Sequence, residues 1–101
     1  GPSGQNIYPE EIEDKLNNSP YILESLAIEE KGKIIALIVP DTEVLKAENI
    51  SPEQYNPVFD KEINAINAKL ANYSKIASFR LQAEEFEKTP KRSIRRFKYQ
   101  K

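Results

Sequence analysis

The chain has 101 residues, 39% of them apolar and 31% charged, which allows one domain with a modest core and a large surface. It contains no cysteine and no histidine, so disulfides, thiolate metal sites, a cysteine nucleophile and a Ser–His–Asp triad built from this chain alone are all excluded. The net charge of −1 conceals an asymmetry: seven basic and no acidic residues lie between Lys88 and Lys101, whereas residues 1–87 hold eight basic and sixteen acidic side chains.

The longest apolar run, Ile34 to Val39, has six residues and falls far short of the roughly 20 that cross a bilayer. The first 20 residues are polar and acidic, without a signal-peptide pattern. The sequence also lacks methionine, and the expectation is a piece of a longer protein.

Gly1-Pro2-Ser3-Gly4 carries turn chemistry, and Gly1-Pro2 also fits a remnant of cloning. Pro9 suits the first helical position, and Glu10, Glu11 and Glu13 complement the positive end of the helix dipole. The clustered acids Glu10, Glu11, Glu13 and Asp14 read as a solvated helix face. Ile12 and Leu16 share the opposite face, and Asn17-Asn18-Ser19-Pro20 stops the helix.

Residues 21–30 read as a strand with Ile22, Leu26 and Ile28 on one face beside Glu24, and Leu23, Ser25 and Ala27 on the other. Lys31-Gly32-Lys33 forms a short turn into a β-branched strand, Ile34–Val39, covered on both faces and antiparallel to the first. Pro40-Asp41 closes it, and residues 42–50 read as a connector.

Ser51-Pro52-Glu53-Gln54 carries a capping-box signal, and Asn56-Pro57 is a competing start. A helix is expected from about 57 to 71, with the stripe Phe59, Ile63, Ile66, Leu70 and Tyr73 packed on the sheet. Ile76–Gln82 gives a third strand with Ala77, Phe79 and Leu81 on one face. The order predicts an α+β fold, a small three-stranded, mainly antiparallel sheet packed by helices.

Chemistry is sparse in the residues taken alone. Ser3-Gly4-Gln5-Asn6 can turn backbone N–H groups toward an anion, but it lacks the lysine and spacing of a phosphate loop. The stretch Lys88–Lys101, with Phe97 and Tyr99 as stacking or interfacial aromatics, fits either phosphate contact or a solvated basic end.

Two runs flanking the hairpin carry more information. Residues 4–13 resemble the G-x-N-I-x-P-x-E-I-E motif, matching at Gly4, Asn6, Ile7, Pro9, Glu11, Ile12 and Glu13. Residues 88–96 resemble a K-T-x-x-G-K-I-x-R motif at Lys88, Thr89, Ile94 and Arg96. Between them, Leu23–Leu26 and Lys33–Asp41 look like the matching strand core, and residues 42–75 are looser. The sequence thereby resembles the C-terminal domain of adenylate-forming (AMP-binding) enzymes, most of all long-chain fatty acid–CoA ligases.

That resemblance implies a lid domain spanning residues 1–101, whose partner is its own N-terminal AMP-binding domain. It closes over that domain for acyl-adenylate formation from a fatty acid and ATP, and reorients for thioester formation with coenzyme A. ATP, with its Mg2+, and coenzyme A would be held mainly by the N-terminal domain. The isolated chain is expected to be inactive, and the enzyme to be cytoplasmic or membrane-peripheral. Gly4, Gln5 and Asn6 would lie on the coenzyme A side. In the terminal motif the glycine position holds Arg92 and the lysine position holds Ser93, so Arg92 or Lys91 is the candidate for the catalytic cation. The rival readings are an anion-binding module working through the basic tail, and a structural adaptor. The acidic body would repel polyanions, so no nucleic acid partner is expected.

Overall fold

Helix α1 (Pro9–Leu16) begins with its proline in the first turn, places Glu10 and Glu11 there and ends near Lys15, in accord with its dipole. Strands β1 (Ile22–Glu30) and β2 (Lys33–Pro40) follow as an antiparallel pair. The turn between them places Lys31 at φ 51° and Gly32 at φ 77°, the left-handed pair that a two-residue hairpin matched to strand twist requires. The computed structural model describes residues 6–100.

Plain alternation fails at the start of β1. Ile22 pairs with Pro40 and Glu24 with Val39, so Leu23 is an extra residue in a β-bulge. The bulge reverses the strand's parity. Ile22 packs with Ala27 against the helices, whereas Leu26 and Ile28 face the other way. Leu23 is expelled to 50% exposure.

Residues 42–50 are more than a connector. Asp41 caps helix α2 (Thr42–Ala47), its Oδ1 accepting from Val44 N at 3.2 Å, and Leu45 is fully buried. A 3-10 turn at Pro52–Gln54, where Gln54 Oε1 accepts from Ser51 N at 2.9 Å, leads into α3 (Tyr55–Asn67). This helix stops short of residue 71 because the Asn67 side chain brackets Ile76, donating to its O at 2.9 Å and accepting from its N at 2.8 Å. Phe59, Ile63 and Ile66 are buried as the stripe demands, Leu70 is half-buried, and Tyr73 is exposed.

The long connection carries the chain back to start β3 (Ile76–Leu81) parallel to β2, giving the order β1-β2-β3. The sheet is therefore mixed, one antiparallel and one parallel pair. A register shift after Ile76 sends Ile76, Phe79 and Leu81 toward the helices and leaves Ala77 exposed.

Helices α1, α2 and α3 cover one face through Ile12, Leu16, Leu45, Phe59, Ile63 and Ile66. The opposite face, formed by Leu26, Ile28, Ile35, Leu37 and Val39, is covered by Phe86, Ile94 and Tyr99 from the basic C-terminal segment. That segment is folded onto the sheet, not a solvated end. On the outer side of β1, Glu13 Oε2 accepts from Ala27 N at 2.8 Å. The Gln100 side chain accepts from Glu29 N at 3.1 Å and donates to Glu29 O at 2.9 Å.

Candidate functional site: a cationic turn on an anchored hairpin

Phe86 fixes the start of the C-terminal segment, 3% exposed and edge-to-face with Tyr99 at a centroid distance of 4.9 Å. From there the chain forms a small hairpin bridged at Lys88 and Ile94. Thr89 N donates to Ser93 O at 2.7 Å and Arg95 N donates to Glu87 O at 2.8 Å. The loop is Pro90-Lys91-Arg92. Arg92 N donates to Thr89 O at 2.8 Å, and Ser93 N donates to Thr89 Oγ1 at 3.2 Å.

Arg92 sits at φ 69°. A three-residue hairpin loop needs a left-handed residue at this third position, where glycine carries no Cβ penalty. The geometry explains physically why the resembling motif has glycine here, and it shows that Arg92 holds a strained backbone.

The hairpin's base consumes its cations. Lys88 Nζ lies 3.0 Å from Glu24 Oε1 and 3.3 Å from Glu85 Oε1, and Glu24 Oε2 also accepts from Phe86 N at 2.9 Å. The hydrogen bond to Glu24 holds the Lys88 ammonium above the ordinary lysine range. Arg96 forms a two-pronged pair with Glu13, Nη1 to Oε2 at 2.6 Å and Nη2 to Oε1 at 2.8 Å. That bond, more than the neighbouring charge of Glu10, raises the guanidinium's pKa. Lys98 pairs with Glu87 at 2.9 Å, and Arg95 stacks over Phe97 at 5.0 Å.

At the tip, Lys91, Arg92 and Ser93 are exposed, and among the described residues neither cation has an ion-pair partner. Asn6 is exposed and its Nδ2 donates to Tyr8 Oη at 3.2 Å. Gly4 and Gln5 lie outside the described residues. The structure thus brings the two candidate cations and Ser93 together on one turn. It ties that turn's hairpin to the helix after Asn6 through Glu13 and Arg96.

Glu13 is the residue that sequence reasoning misplaced. Unlike exposed Glu10, Glu11 and Asp14, it is buried at 7% exposure. Its place one turn after Glu10, on the side of Ile12 and Leu16 that turns to the sheet, was the available signal. Among the described residues, no three acidic side chains gather into a metal site. No helix among them is long and apolar enough to cross a membrane.

A mixed three-stranded sheet packed by helices matches the fold of the C-terminal domain of adenylate-forming enzymes. Over residues 2–101 the sequence matches the AMP-binding enzyme C-terminal domain family, and the chain belongs to that family. Its fold is similar to the adenylation domain of a carboxylate reductase from Mycobacterium chelonae, with TM-score 0.73 and 19% identity over 88% of this chain and 15% of that one. It is also similar to a Mycobacterium tuberculosis fatty acyl CoA synthetase, with TM-score 0.63 and 21% identity over 93% of this chain and 17% of that one. A third similar structure is an ATP-bound RpMatB–BxBclM chimera, with TM-score 0.68 and 15% identity over 93% of this chain and 18% of that one. The chain spans less than a fifth of each. No curated protein sequence matches it significantly.

Proposed function

We propose that the chain is the lid domain of a longer fatty acid–CoA ligase, in which it closes over an N-terminal AMP-binding domain. In the first half-reaction a carboxylate oxygen attacks the α-phosphorus of ATP, and the bond to pyrophosphate breaks. In the second, the coenzyme A thiol attacks the acyl carbon and AMP leaves. The first step brings two anions together, so a cation placed between them lowers the barrier electrostatically.

The observation that supports this reading is the contrast within the hairpin. Lys88, Arg96 and Lys98 are neutralised at the base, while among the described residues Lys91 and Arg92 at the tip have no ion-pair partner. Arg92 is the first choice for the cation, because its planar fork can engage carboxylate and phosphate oxygens together. Lys91 is the second, and Ser93 supplies no charge. Asn6, with Gly4 and Gln5, is assigned to the coenzyme A side. The fatty acid assignment rests on the resemblance of residues 4–13, 88–96 and the strand core between them to long-chain fatty acid–CoA ligases, and the proposed location is cytoplasmic or membrane-peripheral.

The test compares Lys91→Ala, Arg92→Ala and Ser93→Ala in the longer enzyme, with pyrophosphate release and thiol transfer from supplied acyl-adenylate assayed separately. Removing the acting cation is expected to slow adenylation about 10²–10³-fold and to spare transfer. Three variants that all adenylate at the parental rate would refute the assignment. The isolated chain should release no pyrophosphate from ATP and a fatty acid.

A further inference from the structure

We propose that Glu13 and Arg96 are positioning residues that aim the cationic turn at the reacting anions, so that adenylation depends on them and thiol transfer does not. The proposal rests on the lid-domain reading above. Three elements meet at the Glu13 carboxylate: α1 carries it, Ala27 N of β1 donates to it at 2.8 Å, and both Arg96 guanidinium nitrogens bond it at 2.6 and 2.8 Å. Being buried and triply bonded, this carboxylate is fixed relative to the sheet.

Arg96 lies three residues beyond Ser93, directly after the returning leg of the hairpin, where a 3-10 turn (Arg96–Lys98) begins. The outgoing leg is held separately, through Phe86 N and Lys88 Nζ on Glu24 of β1. With each leg referenced to a different element, the orientation of Pro90–Ser93 is defined by two independent carboxylates. A guanidinium fork is directional where an ammonium is a point charge, so Arg96 sets an angle as well as a distance. Misplacing a reacting group by about 1 Å can cost about 10²-fold in rate.

The decisive variant is Arg96→Lys in the longer enzyme, which keeps the charge and removes the fork. We expect kcat for pyrophosphate release to fall about ten- to a hundredfold, with KM for ATP unchanged and transfer from supplied acyl-adenylate at the parental rate. Surviving transfer in the same preparation shows that the protein is folded. Glu13→Gln should behave alike, and the double variant should be no slower than the slower single, as for two groups acting through one contact. Parental adenylation by Arg96→Lys, transfer falling in step with adenylation, or additive losses in the double variant would each overturn the positioning role alone. A parental enzyme that releases no pyrophosphate with any carboxylic acid overturns the lid-domain reading and the positioning role together.

Discussion

One face of the sheet is covered by helical stripes, Ile12 and Leu16 from α1 and Phe59, Ile63 and Ile66 from α3, pressed onto Ile34, Ala36 and Ile38. The other is covered by a stretch with no long helix or strand, which brings Phe86, Ile94 and Tyr99 and four ion pairs through Lys88, Arg96 and Lys98. Burial on the first face is broad and non-directional, which suits stability. Contacts on the second are few and directional, which suits holding a turn in one pose at a lower local stability.

The comparison can be broken most forcefully at the two buried phenylalanines. Phe59→Ala is expected to cost about 3–5 kcal/mol of global stability, measured by urea unfolding. Phe86→Ala should fall at the lower end, about 3 kcal/mol, and should act locally first. Hydrogen exchange at the Arg92 and Arg95 amides should quicken while β2 amides stay protected. Equal loss of protection across the sheet would show that both faces form one cooperative unit.

A smaller effect sharpens the same contrast. Arg92→Gly should raise stability by about 0.5–1 kcal/mol, because relief of the left-handed strain exceeds the entropy that glycine adds to the unfolded chain. A lowered melting temperature would contradict the assigned turn. The smallest effect concerns pH. The Lys88 pKa is raised by folding, so its contribution is complete below the ordinary lysine value of about 10.4 and is lost as pH climbs through the raised one. Urea midpoints should therefore decline at high pH more steeply for the parent than for Lys88→Gln.

The helix-covered side was largely legible because it obeys periods. The 3.6-residue stripe of α3, Pro9 at the head of α1 and the Lys31-Gly32 turn all act through nearest neighbours in the chain. The bulge at Leu23 was not, since plain alternation carries no mark of an inserted residue. Parallel pairing of β3 and the helical nature of residues 42–47 depended on where the chain returned to the core. Lys91, Arg92 and Ser93 stand out as candidates only through motif resemblance, and the left-handed backbone at Arg92 is visible only in the structure. Glu24, which anchors Lys88, and Glu13, which anchors Arg96, lie 64 and 83 residues away, a separation that no local pattern encodes.

Gln100 has a consequence for the company the domain keeps. Its side-chain amide faces the backbone of Glu29 as a peptide group would, and the Glu13 carboxylate takes the neighbouring outward donor of Ala27. An unpaired strand margin invites a strand from another molecule and, with it, aggregation. Along this stretch of β1 a foreign strand meets donors already engaged. Among the described residues, two side chains far apart in the sequence thus occupy the place beside β1 that a fourth strand would take.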